Sequence, residues 1–140
     1  MIHKKTSYEK NLSGTLAIDL GNTNTVVAFQ DQKDINTILV EIPNITSSPG
    51  VIPTAVWFEE HSKILKIGIS ALKMRDKINS ELCFHSNFKR LIGNPIEKIN
   101  RKNILNPSEC GEKFFKYLWE SIPQKYKVKR LVLTAPIDTY

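Results

Sequence analysis

The stretch that decides the fold runs from Gly14 to Phe29, GTLAIDLGNTNTVVAF. Thr15 to Asp19 reads as a buried β-strand, and Thr25 to Phe29, rich in β-branched residues, reads as a second. Between them, Gly21-Asn22-Thr23-Asn24 is dense in turn formers. So short a loop requires the two strands to pair antiparallel. The first strand carries a carboxylate, Asp19, to its end, where burial without a partner would be costly. Gly21 lets backbone approach a ligand with no Cβ in the way. Asn22, Thr23 and Asn24 add amide N–H groups in a tight turn, and successive turn amides can form a concave anion site suited to a polyphosphate. A phosphate-bound Mg2+ keeps most of its waters and needs only one or two carboxylates nearby, a role open to Asp19. The same loop residues are also at home in an ordinary polar β-hairpin.

Upstream, residues 1–13 are polar and charged, and a disordered tail is expected there. Downstream, Thr37 to Val40 reads as a third strand and Pro43 to Pro53 as loop. Thr54 to Phe58 and Ile64 to Gly68 flank a polar turn and predict a hairpin. Ser70 to Lys77 predicts a short helix, and Phe84 to Ile92 another ending at Gly93. The clearest helix spans about Ser108 to Ser121. Ser108 is its expected cap, and Cys110, Phe114, Tyr117 and Leu118 share one face. Lys125, Lys127, Lys129 and Arg130 form a basic connector. Leu131 to Thr134 is continuously apolar, like a strand buried in a parallel sheet, and Pro136 breaks it. The organisation is α/β, with a mixed sheet, N-terminal antiparallel strands and an inserted α+β subdomain at about residues 44–106. A parallel strand normally leads into a crossover helix. None follows Thr134, so the chain is expected to be truncated relative to its fold.

With 140 residues, 41% of them hydrophobic and 24% charged, the chain has room for one domain with a true core, which excludes disorder throughout. The net charge of +6 is scattered, without aromatics interleaved among arginines, so no nucleic-acid partner is expected. Cys83 and Cys110 have neither disulfide-framework nor zinc spacing and are expected to be free, buried thiols. His3, His61 and His85 share no spacing with a ligand cluster. No signal-peptide core or membrane-spanning run is present, so no membrane partner and a cytoplasmic location are expected.

The D-x-G-x-T-N-[ST] loop, Asp19 to Thr25, resembles the first phosphate motif of the actin-like ATPase superfamily. That loop by itself is also very close to the opening of type III pantothenate kinases. Later blocks select among the members. Ile42-Pro43-Asn44, Ile52-Pro53-Thr54-Ala55-Val56-Trp57-Phe58, Ile67-Gly68 with Ala71, Phe88-Lys89-Arg90-Leu91-Ile92-Gly93, and Leu131-Val132-Leu133-Thr134-Ala135-Pro136 resemble, in family order, blocks of the 70-kDa heat-shock (DnaK-like) chaperones. The resemblance covers Gly14 to Pro136.

It implies an actin-like, ribonuclease H-like lobe over residues 14–140, the N-terminal part of a nucleotide-binding domain. ATP or ADP with Mg2+ would be its cofactors, and the whole protein an ATP-dependent chaperone. Unfolded client polypeptides and co-chaperones would be its partners, together with a second chain if one completes the nucleotide cleft. By this resemblance Asp19 holds Mg2+ through water, and Gly21, Asn22, Thr23 and Asn24 wrap the phosphates. Asn22 stands where the chaperones usually have Thr. The family's catalytic lysine is expected one place after Leu72, at Lys73, and Pro136 matches the proline that relays nucleotide state. A second phosphate loop and an adenosine site have no counterpart in these residues. The chain alone is therefore expected to bind ATP weakly and to hydrolyse it negligibly. The alternatives are a non-catalytic interaction module and a different actin-like enzyme of the pantothenate-kinase type.

Overall fold

A computed structural model describes residues 10–78, 81–93 and 105–134. Its first four strands are β1 (Leu12–Leu20), β2 (Asn24–Asp31), β3 (Thr37–Leu39) and β4 (Val51–Pro53). Strands β5 (Ala55–Glu59) and β6 (Ile64–Ile67) precede helix α1 (Gly68–Lys77). Strand β7 (Phe84–Ser86), a single 3-10 turn (Lys89–Leu91), helix α2 (Pro107–Ser121) and strand β8 (Tyr126–Thr134) complete the described elements.

β1 organises the main sheet. Side chains alternate across a strand, and here Leu16, Ile18 and Leu20 are buried on one face while Asp19 is exposed on the other. β2 pairs antiparallel to it, with Leu16 opposite Phe29 and Ile18 opposite Val27, so the buried sets of both strands coincide. β3 and β4 share the far edge of β2, β3 against Ala28–Gln30 and β4 against Asn24–Val26. On its other side β1 pairs parallel with β8, with a register shift between Gly14 and Thr15. The sheet is therefore mixed, in the order β3-β2-β1-β8. A smaller antiparallel sheet, β6-β5-β7, lies within the expected inserted segment, and α1 packs on β5. Leu16, Phe29, Ile52, Val56, Ile67, Phe114 and Leu118 close a core that the two sheets and α2 share.

The antiparallel opening strands, the β5–β6 hairpin, the long helix and the burial of both cysteines agree with the sequence reading. Five expectations change. β1 begins at Leu12, because Leu12 pairs with Tyr126 and packs against the core. Val51–Pro53 is a strand rather than loop, paired with β2. The helix expected over Phe84–Ile92 is absent. Phe84 and His85 instead pair with Trp57 and Val56, and Asn87 takes a left-handed φ of 56°, which ends any regular run. The cap of α2 is Asn106, not Ser108. The Asn106 side chain accepts from the Glu109 N–H at 2.8 Å, and the Glu109 carboxylate accepts from the Asn106 N–H at 3.0 Å, a reciprocal capping box with Pro107 at the first helical position. The expected basic connector is the first half of β8, and β8 is an edge among the described strands. Leu131 and Leu133 are therefore 43% and 55% exposed rather than buried. Residues 1–9 of the expected tail, the stretch 94–104 of the expected subdomain, and Pro136 lie outside the described residues.

Phe114 is fully buried where α2 meets both sheets, and its ring contacts that of Phe88 at 6.2 Å. Phe114→Ala should cost about 3–5 kcal/mol and Asn106→Ala about 1 kcal/mol in urea unfolding. A Phe114→Ala cost below about 1 kcal/mol would remove α2 from the core.

Candidate functional site

The loop between β1 and β2 sits at the open end of the sheet's central strand. Gly21 is required there by close approach: a Cβ on it would lie 2.1 Å from the Asn24 carbonyl oxygen. The loop's C-terminal half is pinned from below by Thr54, whose N–H donates to the Thr23 carbonyl at 2.8 Å. The Thr54 hydroxyl also lies 2.8 Å from that of Thr25, and both side chains are buried, so each satisfies the other.

A second segment closes on the loop from the side. Asn22 Nδ2 donates to Asn87 Oδ1 at 3.1 Å, and Lys89 Nζ donates to the Leu20 carbonyl. Phe88, 3% exposed and packed against Phe114, anchors the residue between these two contacts. Asp19 lies across the parallel ladder from Thr134, and its Oδ1 accepts from the Thr134 hydroxyl at 2.7 Å. The result is a turn flanked by the carboxylate of the adjacent Asp19 and by the ammonium of Lys89, 69 positions from Leu20, with the hydroxyl that binds Asp19 supplied from 115 positions away. Such an arrangement can hold an anion at the amides, neutralise it with the ammonium, and orient a cation's water shell with the carboxylate.

The expected residues fall as follows. Gly21, Asn22, Thr23 and Asn24 share this one turn, and Asp19 stands at its entry. Asp19 is exposed, which corrects the expectation of a buried carboxylate, and the Thr134 hydroxyl is its hydrogen-bond donor from the neighbouring strand. Lys73 is exposed on α1, which packs on β4, β5 and β6, and no hydrogen bond joins it to the loop among the described residues. The lysine that reaches the loop is Lys89. Its signal lay in the Phe88–Gly93 block, where recognition of the pattern did not by itself reveal that the chain folds back to Leu20. Among the described residues no group of three or more His, Cys, Asp or Glu gathers into a metal cage. A cation at this turn would therefore depend on Asp19, water and its own phosphate ligands. Neither of two sizeable cavities, about 380 Å³ over Phe58 and about 660 Å³ beside Trp119, is lined by Asp19 to Asn24.

Away from the loop, burial shifts the titration of Cys110 and His85. Burial, reinforced by the charge of Glu109, pushes the Cys110 thiol up to about 12, so it stays protonated and is no nucleophile. His85 on β7 pairs across the ladder with Val56, and its Nε2 is buried without a hydrogen-bond partner. Burial lowers its pKa from the ordinary value of 6.5.

Compared with models of known protein families and with curated proteins, the chain matches none. No helix among the described residues is long and apolar enough to cross a membrane.

The lowered pKa of His85 sets a pH dependence. Below about pH 6.5 the unfolded chain takes up a proton that the folded chain resists. The stability contributed by neutral His85 is thus complete above that pH and declines as pH falls below it. The urea midpoint should be lower at pH 5.5 than at pH 7.5, and His85→Phe should shrink the difference. An identical difference in parent and variant would show that other groups carry it.

Proposed function

We propose that this chain is the N-terminal lobe of an actin-like, ribonuclease H-like ATPase of the 70-kDa heat-shock chaperone kind. It supplies the first phosphate-binding wall for Mg-ATP. The observation that carries the reading is the convergence at one turn of Asp19, the Gly21–Asn24 amides and the Lys89 ammonium. The mixed sheet supports it too, because an antiparallel β1–β2 pair beside a parallel β1–β8 pair aims the turn away from the sheet's end.

In this reading the amides of Gly21 to Asn24 bind the phosphate chain, and Gly21 admits it closely. Lys89 exchanges the Leu20 carbonyl for a phosphate oxygen, a better partner because that hydrogen bond is charge-assisted on both sides. Asp19 would hold Mg2+ through water, and the Thr134 hydroxyl would keep its carboxylate oriented for that role. Bound Mg2+ supplies charge neutralisation at the phosphates. Lys89 takes the role that the sequence pattern assigned to Lys73.

Hydrolysis needs groups from a facing wall to converge on the transition state. The wall described here binds and orients, and a second segment or a second chain completes the cleft. The whole assembly would be a cytoplasmic chaperone acting on unfolded polypeptides with co-chaperones, without nucleic-acid or membrane partners. A second reading, a lobe kept for docking rather than catalysis, is favoured by the exposed apolar edge at Leu131 and Leu133. A pantothenate-type kinase has no such support.

Calorimetric titration of the 140-residue chain with Mg-ATP tests the reading. The parent should bind weakly. Gly21→Val should abolish binding, and Asp19→Asn should weaken it selectively in the presence of Mg2+. Lys89→Ala should weaken it about 10- to 100-fold, the value of a hydrogen bond to a charged group. Lys73→Ala should leave it unchanged. Loss of binding with Lys73→Ala and not Lys89→Ala would return the role to Lys73.

A further inference from the structure

The two halves of the loop are held differently. Thr23 and Thr25 are pinned by Thr54 through a backbone and a buried hydroxyl contact. Gly21 and Asn22 belong to neither strand, and Gly21 has no side chain to anchor. Among the described residues, the side-chain tie of this half is the Asn22–Asn87 hydrogen bond, closed across 65 positions.

Asn87 is well placed to act as a fixed post. β7 pairs with β5 immediately before it, and the buried ring of Phe88 follows immediately after. Its left-handed φ of 56°, which Asn tolerates better than most residues, turns the chain between those two anchors. The orientation that serves this bond leaves Asn22 Oδ1 buried without a donor.

We infer that Asn87 is a positioning residue: through Asn22 it holds the N-terminal half of the phosphate loop in place and in register with the Lys89 ammonium. The loop amides then meet an anion already arranged, and Lys89 lies two residues from the post that aligns them. The anion part of this inference rests on the phosphate-loop reading. The tie itself does not.

Two substitutions separate the hydrogen bond from the backbone. Asn87→Gly keeps the left-handed conformation and removes the acceptor. Asn87→Asp keeps an acceptor for Asn22 Nδ2 and adds a negative charge. Amide hydrogen exchange on the full 140-residue chain reads the tie without any ligand. Asn87→Gly should speed exchange at Gly21 to Asn24 about 2- to 10-fold, the range expected for one net hydrogen bond, with Leu16 and Ile18 unchanged. Asn87→Asp should exchange like the parent. Titration with Mg-tripolyphosphate then reads positioning: Asn87→Gly weakens binding by a similar factor, and Asn87→Asp weakens it by charge despite its ordered loop. Parental loop exchange in Asn87→Gly, or equal acceleration in both variants, overturns the inference. If the exchange pattern holds but the parent binds no tripolyphosphate, the tie stands and the phosphate reading falls.

Discussion

β1 carries the constraint on which the rest depends. It is hydrogen-bonded on both edges, antiparallel to β2 and parallel to β8, while its odd and even side chains face opposite sides of the sheet. Because that period is two, its register admits no small adjustment: a slip of one residue would turn Leu16, Ile18 and Leu20 to solvent and bury Asp19. The same register places Phe29 and Val27 beside them and directs the apolar stripe of α2 onto the combined face. Burying that face is the main favourable term available to a chain of this size. The loop that follows Leu20 inherits its position from this arrangement.

The candidate site is thus made by rigid elements and held by distant ones. Three segments reach the β1–β2 turn: Thr54 at the end of β4, Asn87 with Lys89 beyond β7, and Thr134 on β8. None is near the turn in sequence. What brings Lys89 there is the burial of Phe88 against Phe114, so a core contact fixes where a surface cation stands. This places a charged group at a loop with little loss of side-chain freedom, as preorganised anion sites require.

β8 shows the opposite situation. Its LVLT run has the character of a central strand, and its basic residues Lys127, Lys129 and Arg130 occupy the same strand. Leu131 and Leu133 continue the buried face of Leu16 and Ile18 outward, yet they remain substantially exposed, since no described element covers them. Cations along an edge oppose unspecific pairing, which suits a strand whose apolar half is exposed in this way.

The antiparallel β1–β2 pair, the β5–β6 hairpin, α2 and the α/β class were legible because each rests on local rules: turn residues between β-branched runs, and apolar spacing at the period of a helix. The turn Asp19 to Asn24 was legible for the same reason. Of the features that were not, three show why. Phe84–Ser86 became strand because Trp57 and Val56 offered a ladder partner, which no local propensity records. Asp19 came to lie exposed because the face it shares with Ala17 is the one the core does not use. Lys89, rather than Lys73, came to the loop because the chain folds back across 69 positions to the Leu20 carbonyl. Sequence by itself determined which residues pair as neighbours and where the tight β1–β2 turn falls. Only the tertiary structure decided which distant side chains complete that turn, because long-range packing, not local pattern, sets where they meet.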